Sequence, residues 1–266
     1  MPKINVYLPD ELAVAVREAG VPVSPVCQYA LSEAVTSVTR ARRAADAIRD
    51  PGLTPAIATR LSVGFGYRMT DRLRAAIGMA RHQGEPAGTG PVSTGGLLLG
   101  LLDEGGNLAV SILQSLDIDL DELRASAEGA LSQPEPVAAG QRPSSDAADA
   151  EGESAGASWQ LRDMTMPARN AVASAIEAGV NLGHNYVGGE HLLLGLLDAV
   201  AGEASQAGRV FGALGVTAAD VTRALKSATA GMAHGRKLGS AASADAVTAL
   251  VARLEVIERR LSAIGG

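Results

Sequence analysis

From residue 3 to residue 8 apolar and polar side chains alternate, with Ile4, Val6 and Leu8 facing one way and Lys3, Asn5 and Tyr7 the other. A period of two predicts a half-buried strand. Pro9 and Asp10 then open a helix that carries Leu12, Val16 and Ala19 on one stripe and stops at Gly20. Ser24 followed by Pro25 predicts an N-cap and a first-turn proline for a second helix, which runs through Val26, Cys27, Leu31, Val35 and Val38 to Arg40, Arg42 and Arg43. A lone strand cannot satisfy its own backbone groups, so the strand–helix–helix unit over residues 1–50 predicts pairing with a second copy. Residues 51–66 form a connector punctuated by Pro and Gly.

A long apolar run, Val92-Ser93-Thr94-Gly95-Gly96-Leu97-Leu98-Leu99-Gly100-Leu101-Leu102, returns 95 residues later as Val187-Gly188-Gly189-Glu190-His191-Leu192-Leu193-Leu194-Gly195-Leu196-Leu197. The same shift lays Met69-Thr70 on Met164-Thr165, Arg74 on Arg169 and Asp103 on Asp198. Beyond that the offset becomes 98, and Ala109, Ile112, Leu116 and Ile118 match Ala207, Val210, Leu214 and Val216. So constant a register marks an internal duplication. It predicts two units of four short helices, over 67–131 and 159–230. Between them, 132–158 is rich in Ala, Gly, Ser and Pro and reads as a flexible tether. After a spacer at 231–243, Val247, Leu250, Leu254, Ile257, Leu261 and Ile264 step by three and four, the seam of a short heptad helix over 244–264. That helix either pairs as a coiled coil or docks on the repeats.

Apolar residues make up 47% of the 266 and aromatic ones only 3%, so the cores must be built from Leu, Val, Ile and Ala. The whole is therefore expected to be mainly α. A net charge of −6 excludes a wholly basic nucleic-acid coat. The single cysteine, Cys27, excludes an intrachain disulfide and any multi-cysteine metal site, and its apolar neighbours favour a buried structural thiol. No signal-peptide run opens the chain, and no segment approaches the roughly 20 apolar residues of a membrane helix. A cytoplasmic protein without membrane contact is expected.

The duplicated block resembles the Clp repeat, the N-terminal domain of ClpA- and ClpC-type unfoldases. Met164-Thr165, Ala168-Arg169 and the run from Gly183-His184-Asn185-Tyr186-Val187 through Leu197 carry the resemblance. Gly189 departs from the usual Thr or Ser, and repeat one has Gly95 and Gly96 where repeat two has Glu190 and His191. The resemblance implies a domain that recognises substrates and adaptors, including peptides and phosphoarginine-marked proteins, and cyclic-peptide antibiotics as further ligands. A carboxylate such as Glu190 can hold a guanidinium bidentately, and a helix start capped by Thr165 offers amides to a phosphate. Thr70 corresponds to Thr165 in repeat one, where Gly95 removes the carboxylate. One competent pocket, in repeat two, is therefore expected, against the plainer alternative that Thr70 and Thr165 are only N-caps.

His184, Glu190 and His191 lack the spacing of a zinc helix, so no metal is expected. The nearest approach to a phosphate-cradling loop, Gly231-Met232-Ala233-His234-Gly235-Arg236-Lys237, is out of register. No nucleophile meets a base in a suitable context. The expectation is a non-enzyme without catalytic residues or cofactor.

Residues 1–50 resemble a ribbon-helix-helix module of the kind found in CopG- and Arc-like repressors, on Lys3 through Leu12, the turn at Gly20, and Ser24-Pro25. The resemblance implies a dimer whose paired strands enter the DNA major groove, with Lys3, Asn5 and Tyr7 at base edges and the amides from Ser24 to Val26 on a phosphate. Six basic and six acidic side chains in this stretch supply no attracting field, which leaves an idle dimerisation element as the alternative. Together the features predict a ClpC-like protein without its motor, acting as adaptor or decoy for the Clp protease machinery. The competing expectation is a transcriptional regulator with a Clp sensor, as a homodimer or higher homo-oligomer.

Overall fold

A computed structural model describes residues 5–54, 56–57, 60–61, 68–83, 90–135, 161–198 and 205–228. Lys3, the 231–237 loop, the heptad helix at 244–264 and the tether beyond residue 135 lie outside the described residues.

The described residues are helical, with no β-strand among them. Helix α1 spans Asp10–Glu18 and α2 spans Val23–Arg49. The first repeat contributes α3 (Asp71–Ala80), α4 (Thr94–Glu104), α5 (Leu108–Ser115) and α6 (Leu120–Leu131). After a 3-10 turn at Leu161–Asp163, the second contributes α7 (Met166–Asn181), α8 (Gly189–Leu197), α9 (Gln206–Ala213) and a helix over 218–228, α10. The mainly α, twice-four-helix architecture read from the duplication is present.

Short polar side chains set the helix starts. Thr70, Asn107, Thr165 and Ser205 each accept a hydrogen bond from the amide three residues on, and Asp119 does the same for α6. The end of α7 is a Schellman turn: Gly183 sits at φ 73°, the His184 amide donates to Gly179 O, and the Gly183 amide donates to Val180 O.

The duplication governs packing as well as sequence. Gly100 of α4 lies so close to α3 that a Cβ there would come within 2.1 Å of Ala76 O. Gly195 of α8 stands against Ala171 O of α7 at the same 2.1 Å. In both Leu-Leu-Leu-Gly-Leu-Leu runs the glycine lets two backbones touch while the leucines fill the core.

The two repeats are also crossed. Met69 forms a parallel bridge with Val187, and Val92 forms one with Met164. The Thr70 amide donates to Val187 O at 3.0 Å and the Val187 amide to Arg68 O at 2.8 Å. Its mirror has the Val92 amide on Asp163 O at 2.7 Å and the Thr165 amide on Val92 O at 2.9 Å. The segment before the first helix of each repeat therefore pairs with the segment before the second helix of the other.

Two sequence expectations change in the N-terminal region. Helix α2 does not stop near Arg43 but continues to Arg49, because Ala41, Ala44, Ala45 and Ile48 bury against α7. Arg169 of α7, itself buried, donates from Nε and Nη2 to Ile48 O and from Nη2 to Asp50 O. A cation thus closes the carbonyl end of α2, where the helix dipole favours it. Arg49 adds a two-pronged contact to Glu177 at 2.6 and 2.7 Å. Ser24, read as an N-cap, lies inside the first turn instead. Pro22 precedes the helix, no side chain caps it, and the Val26 amide is already used on Pro22 O at 3.2 Å.

Residues 5–9 have no assigned secondary structure, and among the described residues they join no β-bridge. Helix α1 buries no residue, and Leu12, Val26, Tyr29, Leu31 and Val35 are all exposed. Cys27, expected to be buried, is only partly covered, and the first half of α2 buries no residue.

Candidate functional site

The crossing of the repeats decides which predicted site residues can act together. Sequence alone paired Thr165 with Glu190, since both belong to repeat two. The bridges instead bring Thr70 of repeat one alongside Val187, three residues before Glu190. Thr165 goes to the opposite side, beside Val92 and the start of α4.

In the first of these half-sites Glu190 and His191 are the second and third residues of α8, and both are buried. The His191 ring reaches back so that Nδ1 accepts the Gly188 amide at 2.9 Å. Its Nε2 then carries the proton and donates to His184 Nδ1 at 2.8 Å. Burial, helped by the neighbouring His184, pulls the His191 pKa down to about 4, so the ring is neutral at pH 7. The 3.4 Å approach of Glu190 Oε1 to Nδ1 is therefore not an ion pair, because that nitrogen is an acceptor.

Tyr186 completes the cluster. Its ring stacks on His184 with centroids 5.1 Å apart, and the Glu190 carboxylate lies close enough to act on its hydroxyl. Burial first, and then the Glu190 carboxylate, raise the Tyr186 pKa. Ligand atoms of His184, Glu190 and His191 all lie within 4.8 Å, closer than their spacing suggested. Both His191 nitrogens are nonetheless committed, one to the Gly188 amide and one to His184. Gly189, the departure from Thr or Ser, has a packing reason: a Cβ there would stand 2.9 Å from Asn107 Oδ1.

The second half-site is filled by a residue that sequence reasoning assigned to the tether. Glu135 follows three exposed residues yet is itself only 7% exposed. Its Oε2 accepts from the Thr94 amide at 3.1 Å and from Thr165 Oγ1 at 2.7 Å. Its Oε1 accepts from the Gln206 amide at 2.7 Å and from Thr94 Oγ1. Gln206 covers what remains: its Oε1 accepts the Gly95 amide and its Nε2 donates to Gln133 O. A Cβ on Gly95 would meet that Oε1 at 2.6 Å. The only local signal in sequence is that Pro134 and Pro136 flank this glutamate.

By repeat, the counterparts of Thr165, Thr94 and Gln206 are Thr70, Gly189 and Leu108. Among the described residues no acceptor takes a proton from the Thr70 hydroxyl or from the Gly189 and Leu108 amides. Of the residues assigned to DNA, Asn5 and Tyr7 are exposed, Tyr7 at 94%, and Ser24 is exposed in the first turn of α2.

Residues 68–152 and 163–258 each match the Clp repeat (R) N-terminal domain. The chain belongs to that family. The chain is 29% identical to chaperone protein ClpC2, chloroplastic, of Oryza sativa over 154 residues, 58% of this chain and 14% of that protein. An uncharacterized Mycobacterium bovis protein is 29% identical over 150 residues, 55% of this chain and 50% of that one. The chain thus matches only a fraction of the length of these relatives. The N-terminal domain of the caseinolytic protease associated chaperone ClpD from Arabidopsis thaliana is similar at 23% identity and a TM-score of 0.41, covering 61% of this chain and 95% of that one. Among the described residues no single helix is long and apolar enough to cross a membrane.

Proposed function

We propose that the chain is a non-catalytic, Clp-associated recognition protein that takes a phosphorylated arginine, presented on a peptide or protein, at the half-site of Glu190 and Thr70. The observation that carries this reading is the buried Glu190 carboxylate, with the Thr70 helix start bridged to its own segment. A guanidinium can take that carboxylate with two parallel hydrogen bonds. The phosphate then falls to the Thr70 hydroxyl and the amides that lack an acceptor. Asp71 at the same helix start is offset by its ion pair with Arg74. Bound this way, the protein acts as adaptor or decoy for the Clp protease machinery, and cyclic-peptide antibiotics that mimic such ligands compete for the same place.

Titration calorimetry of the full chain with free phosphoarginine tests the assignment. Glu190→Ala is expected to abolish binding and Thr70→Ala to weaken it about tenfold, the size of one lost charge-assisted hydrogen bond. Thr165→Ala is expected to leave this half-site intact. Undiminished binding by Glu190→Ala would remove the basis of the proposal.

A second reading is favoured by one observation. The exposed apolar residues of α1 and the first half of α2 suit a second copy, and with it a paired ribbon that contacts DNA. The protein then shifts its own upstream DNA in a salt-dependent way, and Lys3→Ala with Asn5→Ala eliminates the shift.

A further inference from the structure

The carboxylate of Glu135 has the environment of a bound ligand rather than of a tether residue. Four donors converge on its two oxygens: two backbone amides at the starts of α4 and α9, and the hydroxyls of Thr94 and Thr165. These donors come from three segments distant in sequence, two of them helix N-termini with their dipoles aimed at one point. Ser132, Gln133 and Pro134 stay exposed while Glu135 alone turns inward. The other half-site has the corresponding hydroxyl and amides, and among the described residues no imported carboxylate lies on them.

We infer that Glu135 is an internal plug: it occupies an anion-binding notch between the repeats and keeps that notch closed to external phosphate or carboxylate groups. Being covalently attached, the plug competes at a high effective concentration that a free anion must exceed. Gln206 reinforces it by tying Gln133 O to the Gly95 amide, so plug and tether leave together or not at all. An anion that displaces Glu135 frees the chain from residue 132 onward and loosens the crossing contact between Thr165 and the start of α4. Among the described residues one half-site thus keeps its hydroxyl and amides without an imported carboxylate, and the other is held shut by the chain itself. The inference shares with the proposed function the idea that these helix starts face ligand, but its readout lies entirely in the other half-site.

The test compares full-length wild type with Glu135→Ala, with inorganic phosphate as the probe and the Thr94, Gly95 and Gln206 amide resonances as the readout. In Glu135→Ala these amides are expected to shift with phosphate at least tenfold more tightly than in wild type, and Thr165→Val in the same background removes the response. Phosphate should also raise the melting temperature of Glu135→Ala more than that of wild type, since it refills the notch. Should Glu135→Ala fail to fold, recovery of its fold on adding phosphate supports the plug. Glu135→Gln then serves as the second variant, keeping the volume but turning an NH2 group against two donors. Folded variants whose three amides ignore phosphate, equal shifts in wild type, or variants that stay unfolded with and without phosphate would each reduce Glu135 to a structural clamp. Loss of phosphoarginine binding at Glu190 leaves these outcomes untouched, so the two ideas fail separately.

Discussion

The two repeats begin their central helices by opposite means. In α4 the residue before the helix is Ser93, whose hydroxyl accepts the Gly96 amide at 3.1 Å. In α8 that residue is Gly188, and the cap comes from the other direction, His191 Nδ1 accepting the Gly188 amide. Each solution pairs one polar side chain with a glycine, at exchanged positions. The carboxylates differ in the same way. Repeat two carries Glu190 within its own helix, whereas repeat one has Gly95 there and receives Glu135 from beyond α6. The backbone was duplicated and kept, while the carboxylate at its two equivalent helix starts comes from within the helix in one repeat and from beyond α6 in the other.

The strongest way to break this comparison is to attack what the repeats share. Gly100→Ala and Gly195→Ala each force a methyl against a backbone carbonyl, and each is expected to cost more than about 3 kcal/mol in urea unfolding. Gly129→Ala, with open space around it, is expected to stabilise by about 0.5–1 kcal/mol. A Gly195→Ala loss much smaller than that of Gly100→Ala would mean that the two packings are not equivalent.

The next test isolates what only repeat two has. His191 is neutral when folded, with a pKa near 4, and ordinary when unfolded. Below the unfolded value, near 6.5, protons therefore favour the unfolded chain. Stability is complete above about pH 7 and declines as the pH falls to about 4, by a total on the order of 3 kcal/mol. His191→Gln should flatten this slope, as measured by unfolding at pH 7 and pH 4.5. An unchanged slope would place the acid sensitivity elsewhere.

A smaller effect separates the arginines at matching positions. Burial lowers the pKa of Arg169, yet it stays charged and holds the end of α2, so Arg169→Ala is expected to cost about 2 kcal/mol. Arg74, ion-paired with Asp71 at the surface, should cost within about 0.5 kcal/mol when changed to Ala. Equal losses would show that α2 contributes nothing to the second repeat.

Much of this was legible in residue order. The 95-residue register located both sets of four helices, and Thr70 and Thr165 sit at the helix starts where capping chemistry puts them. Glu190 was found because its neighbours form a distinctive run. Glu135 was hidden because burial by donors far along the chain leaves no periodic trace, and its surroundings have the composition of a linker. The extension of α2 was hidden too: Ala41, Ala44 and Ala45 are small, and their apolar spacing gains meaning only when α7 lies across them.

Sequence by itself determined what repeats: helix lengths, caps, the glycines of close approach and the apolar content of each core, all properties of neighbouring residues and their spacing. Only the tertiary structure decided which repeat faces which. The parallel bridges cross the copies, joining Thr70 to the Glu190 segment and Thr165 to the notch that Glu135 fills. Local spacing carries no information on that exchange, because pairing within a repeat and pairing across repeats would satisfy the same backbone groups with the same residues.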